Sequence, residues 1–257
     1  MATAPQPNMP LFYNQIEPLS SSAHNSWKAR GLETAKFLVN AHAVPITIEE
    51  FPVAQRHYPI VFSSGADPVP LALMGLNEGV NVFVDEDGRL TSDAYVPAYV
   101  RRYPFMLARL RNDSEDLSLC FDPTAGAIGE FEDGNPLFEG NEPSQLIKDV
   151  LGFCERFEQS AMQTGQFVRE LKEHNLLIDG EVSIQPDNAA QPFVYRGFQM
   201  VSEEAVRNLR GDVLRKMVQS GMLPLIFAHL MSLPLVREIF GRQMAMGKVP
   251  PQPAANA

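Results

Sequence analysis

Two arginines and the rings around them are the residues of this sequence best suited to hold a ligand. Arg101 and Arg102 lie in the stretch YVPAYVRRYPF, between Tyr95, Tyr99, Tyr103 and Phe105. A guanidinium fork binds a carboxylate or phosphate through parallel hydrogen bonds and stacks on aromatic faces. Arg101, Arg102 and Tyr99 are therefore candidate binding residues for a small anionic ligand or a protein partner. The competing reading is that the arginines pair with the chain's surplus carboxylates and cover aromatic surface, and the charge balance ranks packing first and recognition second. In neither case do they move protons, because arginine stays charged.

The histidines are His24, His42, His57, His174 and His229, and none has a carboxylate two positions later. The His-x-carboxylate start of a facial-triad iron site is thus missing, as are HExxH and paired CxxC. His42 and His229 sit in apolar stretches and read as hydrogen-bonded core or pocket-edge residues. They join the candidate binding residues. No GxSxG elbow, P-loop or dinucleotide fingerprint is present. A calcium loop starting at Asp85 would put Val96 where a bidentate Glu is needed, so DEDG reads as a hairpin turn. These patterns predict no catalytic residue, no metal site and no cofactor.

The whole chain sets limits on partners. It has 257 residues, with 21 Lys and Arg against 31 Asp and Glu, a net charge of −10. A field of that sign repels a phosphate backbone and argues against general nucleic-acid binding. Cys120 and Cys154 stand far apart in apolar contexts, which suits two buried thiols in a reducing compartment. The N-terminal stretch lacks the basic and apolar regions of a cleavable signal, and the longest apolar run, Met222 to Val236, is shorter than the ~20 residues of a span. The expectation is a cytoplasmic protein with no transmembrane segment.

The elements that must position these residues read as an α+β fold. An antiparallel β-rich N-terminal half packs with long C-terminal helices around a shared core. The predicted regions are a flexible N-terminus (1–10), a β-rich region (11–141), a helical region with a β-hairpin (142–243) and a disordered tail (244–257). Strands are expected within 32–39, 46–51, 59–63, 69–76 and 80–84, the last closing on an Asp87-Gly88 turn. Pro97 starts a helical turn to Arg102, and Pro104 resets the chain to extended. A hairpin then joins the run from Phe105 to Leu117–Phe121 through RNDSED, where Arg111 sits among Asp113, Glu115 and Asp116. Leu146, Val150, Cys154, Phe157, Ala161, Val168 and Leu171 recur at helical spacing, so 144–174 is one long amphipathic helix. A second hairpin spans 176–184 and 192–201. Ser202 caps a helix over 203–220 that ends at Gly221, and 222–240 is a very apolar helix kinked at Pro234. That last helix covers more than one face with apolar residues. It is either core or a partly exposed face for a partner or a homodimer, with membrane-interface contact ranked behind.

The segments YPIVF, PLALMGL, VNVFVDEDG, YVPAYVRRYPF, GFQMVSEEAV and GMLPLIFAHLMSL together resemble the SapC family of bacterial proteins over nearly the whole chain. The block from Tyr58 to Phe105 is the most specific. The family takes its name from a protein associated with a surface layer (S-layer). Its members tend to be encoded beside TonB-dependent receptors and flavin-dependent tryptophan halogenases. The resemblance implies an accessory or binding role, without catalysis, in an envelope, surface-layer or TonB-dependent uptake system, and brings no catalytic residues with it. The alternative is an enzyme, or the partner of one, that modifies a small molecule or peptide beside a halogenase. It requires His42, His229 or Arg101 to line a concave pocket.

Overall fold

The computed structural model describes residues 9–91, 93–110, 116–186 and 191–249. Its main strands are Ala43–Pro45 (β1), Ile60–Ser63 (β2), Pro70–Leu73 (β3), Phe105–Arg109 (β4), Leu117–Phe121 (β5), Leu177–Ile184 (β6) and Phe193–Val201 (β7). Its main helices are Gln145–Glu173 (α1), Glu203–Arg207 (α2), Gly211–Gln219 (α3), Met222–Ser232 (α4) and Val236–Ala245 (α5). The architecture is α+β with antiparallel strand pairing throughout. The chain forms two compact units, one from residues 1–35 and 98–159, the other from 36–97 and 160–257. The first half of α1 belongs to one unit and its second half to the other.

In the first unit, β5 lies between β4 and the short strand Glu17–Pro18, with Phe105 opposite Phe121. Phe105, Leu107, Phe121, Ile128, Leu137, Ile147 and Cys154 form its core. Asp122 is fully buried, yet its carboxylate accepts from the Asn14 amide (2.7 Å), the Thr124 amide (2.8 Å) and the Thr124 hydroxyl (2.7 Å). Those bonds satisfy buried polar oxygens whose desolvation would otherwise be costly.

In the second unit the sheet order is β6-β7-β2-β3-β1. Early strands and late helices share this core: α4 packs on β2 and β7, and the Phe62 ring touches those of both Phe167 and His229. Most expected elements are in place. The long helix runs 145–173, both hairpins form, the Ser202 hydroxyl accepts from the Ala205 amide, and Gly221 takes the left-handed conformation (φ 76°). Pro234 sits in a 3-10 turn between α4 and α5.

Four local expectations are corrected. Residues 36–38 form a 3-10 turn in place of a strand, with only Leu38 buried. Residues 48–54 are helical because Thr47 and Glu50 make a capping box: Glu50 accepts from the Thr47 amide at 2.8 Å, and Thr47 accepts from the Glu50 end of the turn. Residues 80–84 form no strand beyond a Val84–Leu90 bridge. Buried Asn81 holds them as a loop, donating to the carbonyls of Leu38 and Ala41 (each 3.0 Å). The helix expected over 203–220 breaks between α2 and α3, where Arg210 is extended (ψ 143°) ahead of Gly211. The turn of the first hairpin with Arg111, Asp113 and Glu115, the first eight residues and the tail from 250 lie outside the described residues.

Close approach fixes one glycine. A Cβ on Gly75 would lie 1.8 Å from the Val80 carbonyl oxygen, a backbone atom that cannot swing aside. Gly75→Ala is expected to destabilise the fold by about 1–3 kcal/mol in urea denaturation, the usual range for overpacking. Wild-type stability in that variant would show that the approach is not tight.

Candidate functional site

The sharpest polar constellation in the second unit centres on His229. Its side chain is fully buried on α4, Nδ1 lies 2.7 Å from the Ile60 carbonyl, and Nε2 lies 3.0 Å from the Val201 amide. The carbonyl can only accept and the amide can only donate, so the ring is neutral with its proton on Nδ1. The pairing Phe198–Ser63 and Gln199–Phe62, continued by two residues, sets Val201 opposite Ile60. The imidazole therefore stands between β7 and β2 where a direct ladder bond would otherwise form. One turn further along α4, the Ser232 hydroxyl accepts from the Ile60 amide (2.8 Å) and donates to the His229 carbonyl (2.6 Å).

Burial pushes the His229 pKa down to about 4, against the smaller opposing effect of its bond to Ile60. An unfolded histidine titrates near ~6.5, so between those values the unfolded chain holds the extra proton. Stability is then full above pH ~6.5 and falls as pH drops toward 4, by up to roughly 3 kcal/mol. His229→Gln, which keeps a donor and an acceptor but does not titrate, is expected to flatten that loss between pH 6.5 and 4.5 in chemical denaturation. His229→Phe orphans two buried backbone groups and should cost about 2–5 kcal/mol at pH 7. Identical pH profiles for wild type and His229→Gln would contradict the assignment.

The arginine pair divides. Arg102 is buried, with its guanidinium 4.3 Å from the ring centroids of both Tyr99 and Phe157 and Nη1 3.3 Å from Glu158 Oε1. Its Nε has no partner among the described residues. Tyr99 donates to the Leu11 carbonyl (3.2 Å), and burial raises its pKa. Arg101 is exposed and lies over Phe153 at 5.2 Å. Arg102 thus fills the packing role, neutralised by a half-buried carboxylate and enclosed by rings. Arg102→Ala is expected to lower stability by about 2–4 kcal/mol and Arg101→Ala by less than about 1 kcal/mol, read from urea midpoints. Equal small effects would remove Arg102 from the core.

His42 is half-buried in the second unit, and its backbone carbonyl accepts from the Met74 (2.7 Å) and Gly75 (3.0 Å) amides. Arg101, Arg102 and Tyr99 belong to the first unit, His42 and His229 to the second. Among the described residues, no group of three or more His, Cys, Asp or Glu side chains is gathered for a metal ion. Cys120 and Cys154 are both buried free thiols.

Two surface features complete the second unit. The outer face of α4 and the turn after it exposes Pro224, Phe227, Met231 and Pro234, at helical spacing, with Leu223 and Leu230 half-buried beside them. The segment Met222–Ala245 is long and apolar enough to cross a membrane; here it forms α4, a 3-10 turn and α5, with α4 packed on β2 and β7. The second feature is a groove of about 340 Å³ with Phe167, Met222 and Leu225 on its floor and Gln163, Gln166 and Glu170 at its rim. Sequence reasoning missed this groove. The only available signal was three polar residues at i, i+3 and i+7 along one face of α1.

An α+β scaffold in which several buried polar side chains, among them His229, Asn81 and Asp122, are hydrogen-bonded to its own backbone is the class that this geometry defines. The family model of SapC matches residues 19–239, and the chain belongs to the SapC family. No curated protein and no solved structure matches it.

Proposed function

We propose that this SapC-family chain is a non-catalytic accessory protein of a bacterial envelope, surface-layer or TonB-dependent uptake system, acting by binding a protein partner through the outer face of α4. The observation that carries the reading is the exposed apolar stripe, with Phe227 38% and Met231 69% exposed. An apolar helix face with anchors at i, i+3 and i+7 is the form that protein–helix recognition takes. The envelope setting is supported by the family resemblance.

Three buried groups are moved out of the range that catalysis near neutrality uses. Burial pushes Cys154 up to about 11, Tyr103 up to about 12 with Asp122 adding to it, and His229 down to about 4. Each of these shifts leads away from neutrality, whereas acid–base and nucleophilic catalysis need groups poised near the working pH. The rival reading, an enzyme or enzyme partner beside a halogenase, requires His42, His229 or Arg101 to line a pocket. None of the three lines the groove on α1.

The test is affinity capture from the native cell with the wild-type chain and with Phe227→Asp/Met231→Asp. Both positions are exposed, so the variant should keep its melting temperature within a few degrees. Enrichment of envelope or uptake proteins by the wild type, and its loss in the variant, is expected. Capture of the same proteins by both, or of a halogenase in place of envelope components, would contradict the proposal.

A further inference from the structure

The groove on α1 has a chemical bias that the partner-binding face does not explain. Its floor is apolar: Phe167 and Met222 are each 4% exposed, and Phe167 is locked by ring contacts with Phe51 and Phe62. Its rim carries the carboxamides of Gln163 and Gln166 and a single ionisable group, the half-buried carboxylate of Glu170. The Gln166 amide donates to Glu170 Oε1 at 3.3 Å and steadies that carboxylate at the mouth. The other oxygen, Oε2, has no protein donor among the described residues. A volume of about 340 Å³ lies in the size range of small-molecule sites.

We propose that this groove binds a small organic cation: an apolar body seated on Phe167, Met222 and Leu225, with a primary ammonium or guanidinium on Glu170. Charge complementarity selects this occupant. No cationic side chain lines the groove, so an anion would meet only Glu170, and the net charge of −10 concentrates cations at the surface. A neutral apolar ligand would leave the carboxylate partly desolvated against hydrocarbon, which costs free energy. A cation compensates it with a charge-assisted hydrogen bond. This inference concerns a surface separate from the α4 stripe and does not depend on it.

The probes are 4-phenylbutylamine, its neutral counterpart 4-phenylbutanol and the anion 4-phenylbutyrate, titrated into the full chain and followed by calorimetry and by amide NMR shifts. The amine is expected to bind saturably, about tenfold or more tighter than the alcohol, with the butyrate weakest. Shifts should concentrate on residues 163–170 and 222–225. Glu170→Gln should bring amine affinity down to that of the alcohol, and Gln163→Trp, which fills the groove from an exposed helix position, should weaken both. Melting temperatures of the two variants show whether each remains folded. Equal binding of amine and alcohol, an amine affinity unchanged by Glu170→Gln, or no saturable binding of any probe would overturn the proposal. Loss of partner capture without loss of amine binding would count against the α4 reading alone.

Discussion

The second unit depends on how one helix is fastened to two strands. The β7–β2 ladder is short, and where it would continue the two chains are joined through the ring of His229. Ser232, one turn on, takes the remaining Ile60 amide. These bonds fix the rotation of α4 about its axis. With His229 and Ser232 turned inward beside Ile226 and Met222, the residues about half a turn away must face out, and those are Pro224, Phe227 and Met231. Because the helix is apolar on every side, hydrophobicity alone would not choose which stripe to bury. The polar anchor makes that choice, since a misrotated helix would leave buried amide and carbonyl groups unpaired.

The same economy recurs across the molecule. Asp122, Glu50, Asn81 and Gln243 are buried polar residues that close turns and pin loops: Gln243, for instance, accepts from the Leu76 amide (2.6 Å) and donates to Asn77 Oδ1 (3.0 Å). Side chains that in another fold would serve as ligands or bases are here the connectors of irregular backbone. Many short strands and loops have few ladder bonds of their own, and buried backbone groups without ladder partners need side-chain partners. This accounts for a chain rich in polar contacts whose surface offers its clearest features as an apolar stripe and a groove.

Where the pattern was local, the sequence was readable. The periodicity from Leu146 to Leu171 gives α1, the Ser202 cap and Gly221 mark helix ends, and the Pro97 and Pro104 punctuation frames the turn that carries Arg102. The 48–54 helix was also written locally, as the Thr47–Glu50 capping box, but its β-branched neighbours pointed the other way. The role of His229 could be read only as a core histidine. Its partners Ile60 and Val201 are distant in sequence, and their opposition follows from a strand register that no short stretch encodes. The split between Arg101 and Arg102 has the same origin: adjacent residues on a helical turn point in different directions, and only the packing of Tyr99 and Phe157 decides which one is enclosed. For the 222–240 segment the sequence leaves core helix and partly exposed face as alternatives, because its apolar residues cover more than one side, and the α1 groove needs separate elements brought together.

The central claim is that His229 is a neutral structural bridge, anchoring the helix that exposes the apolar stripe of Phe227 and Met231. Long-range proton–nitrogen correlation NMR of the histidine rings at pH 6 tests it most directly. The account predicts one imidazole held as the Nδ1-protonated neutral tautomer, unchanged down to about pH 5, with its Nε2 coupled through a hydrogen bond to the Val201 amide. A His229 ring that is cationic at pH 6, or that titrates with the ordinary value near ~6.5 while the protein stays folded, would contradict it.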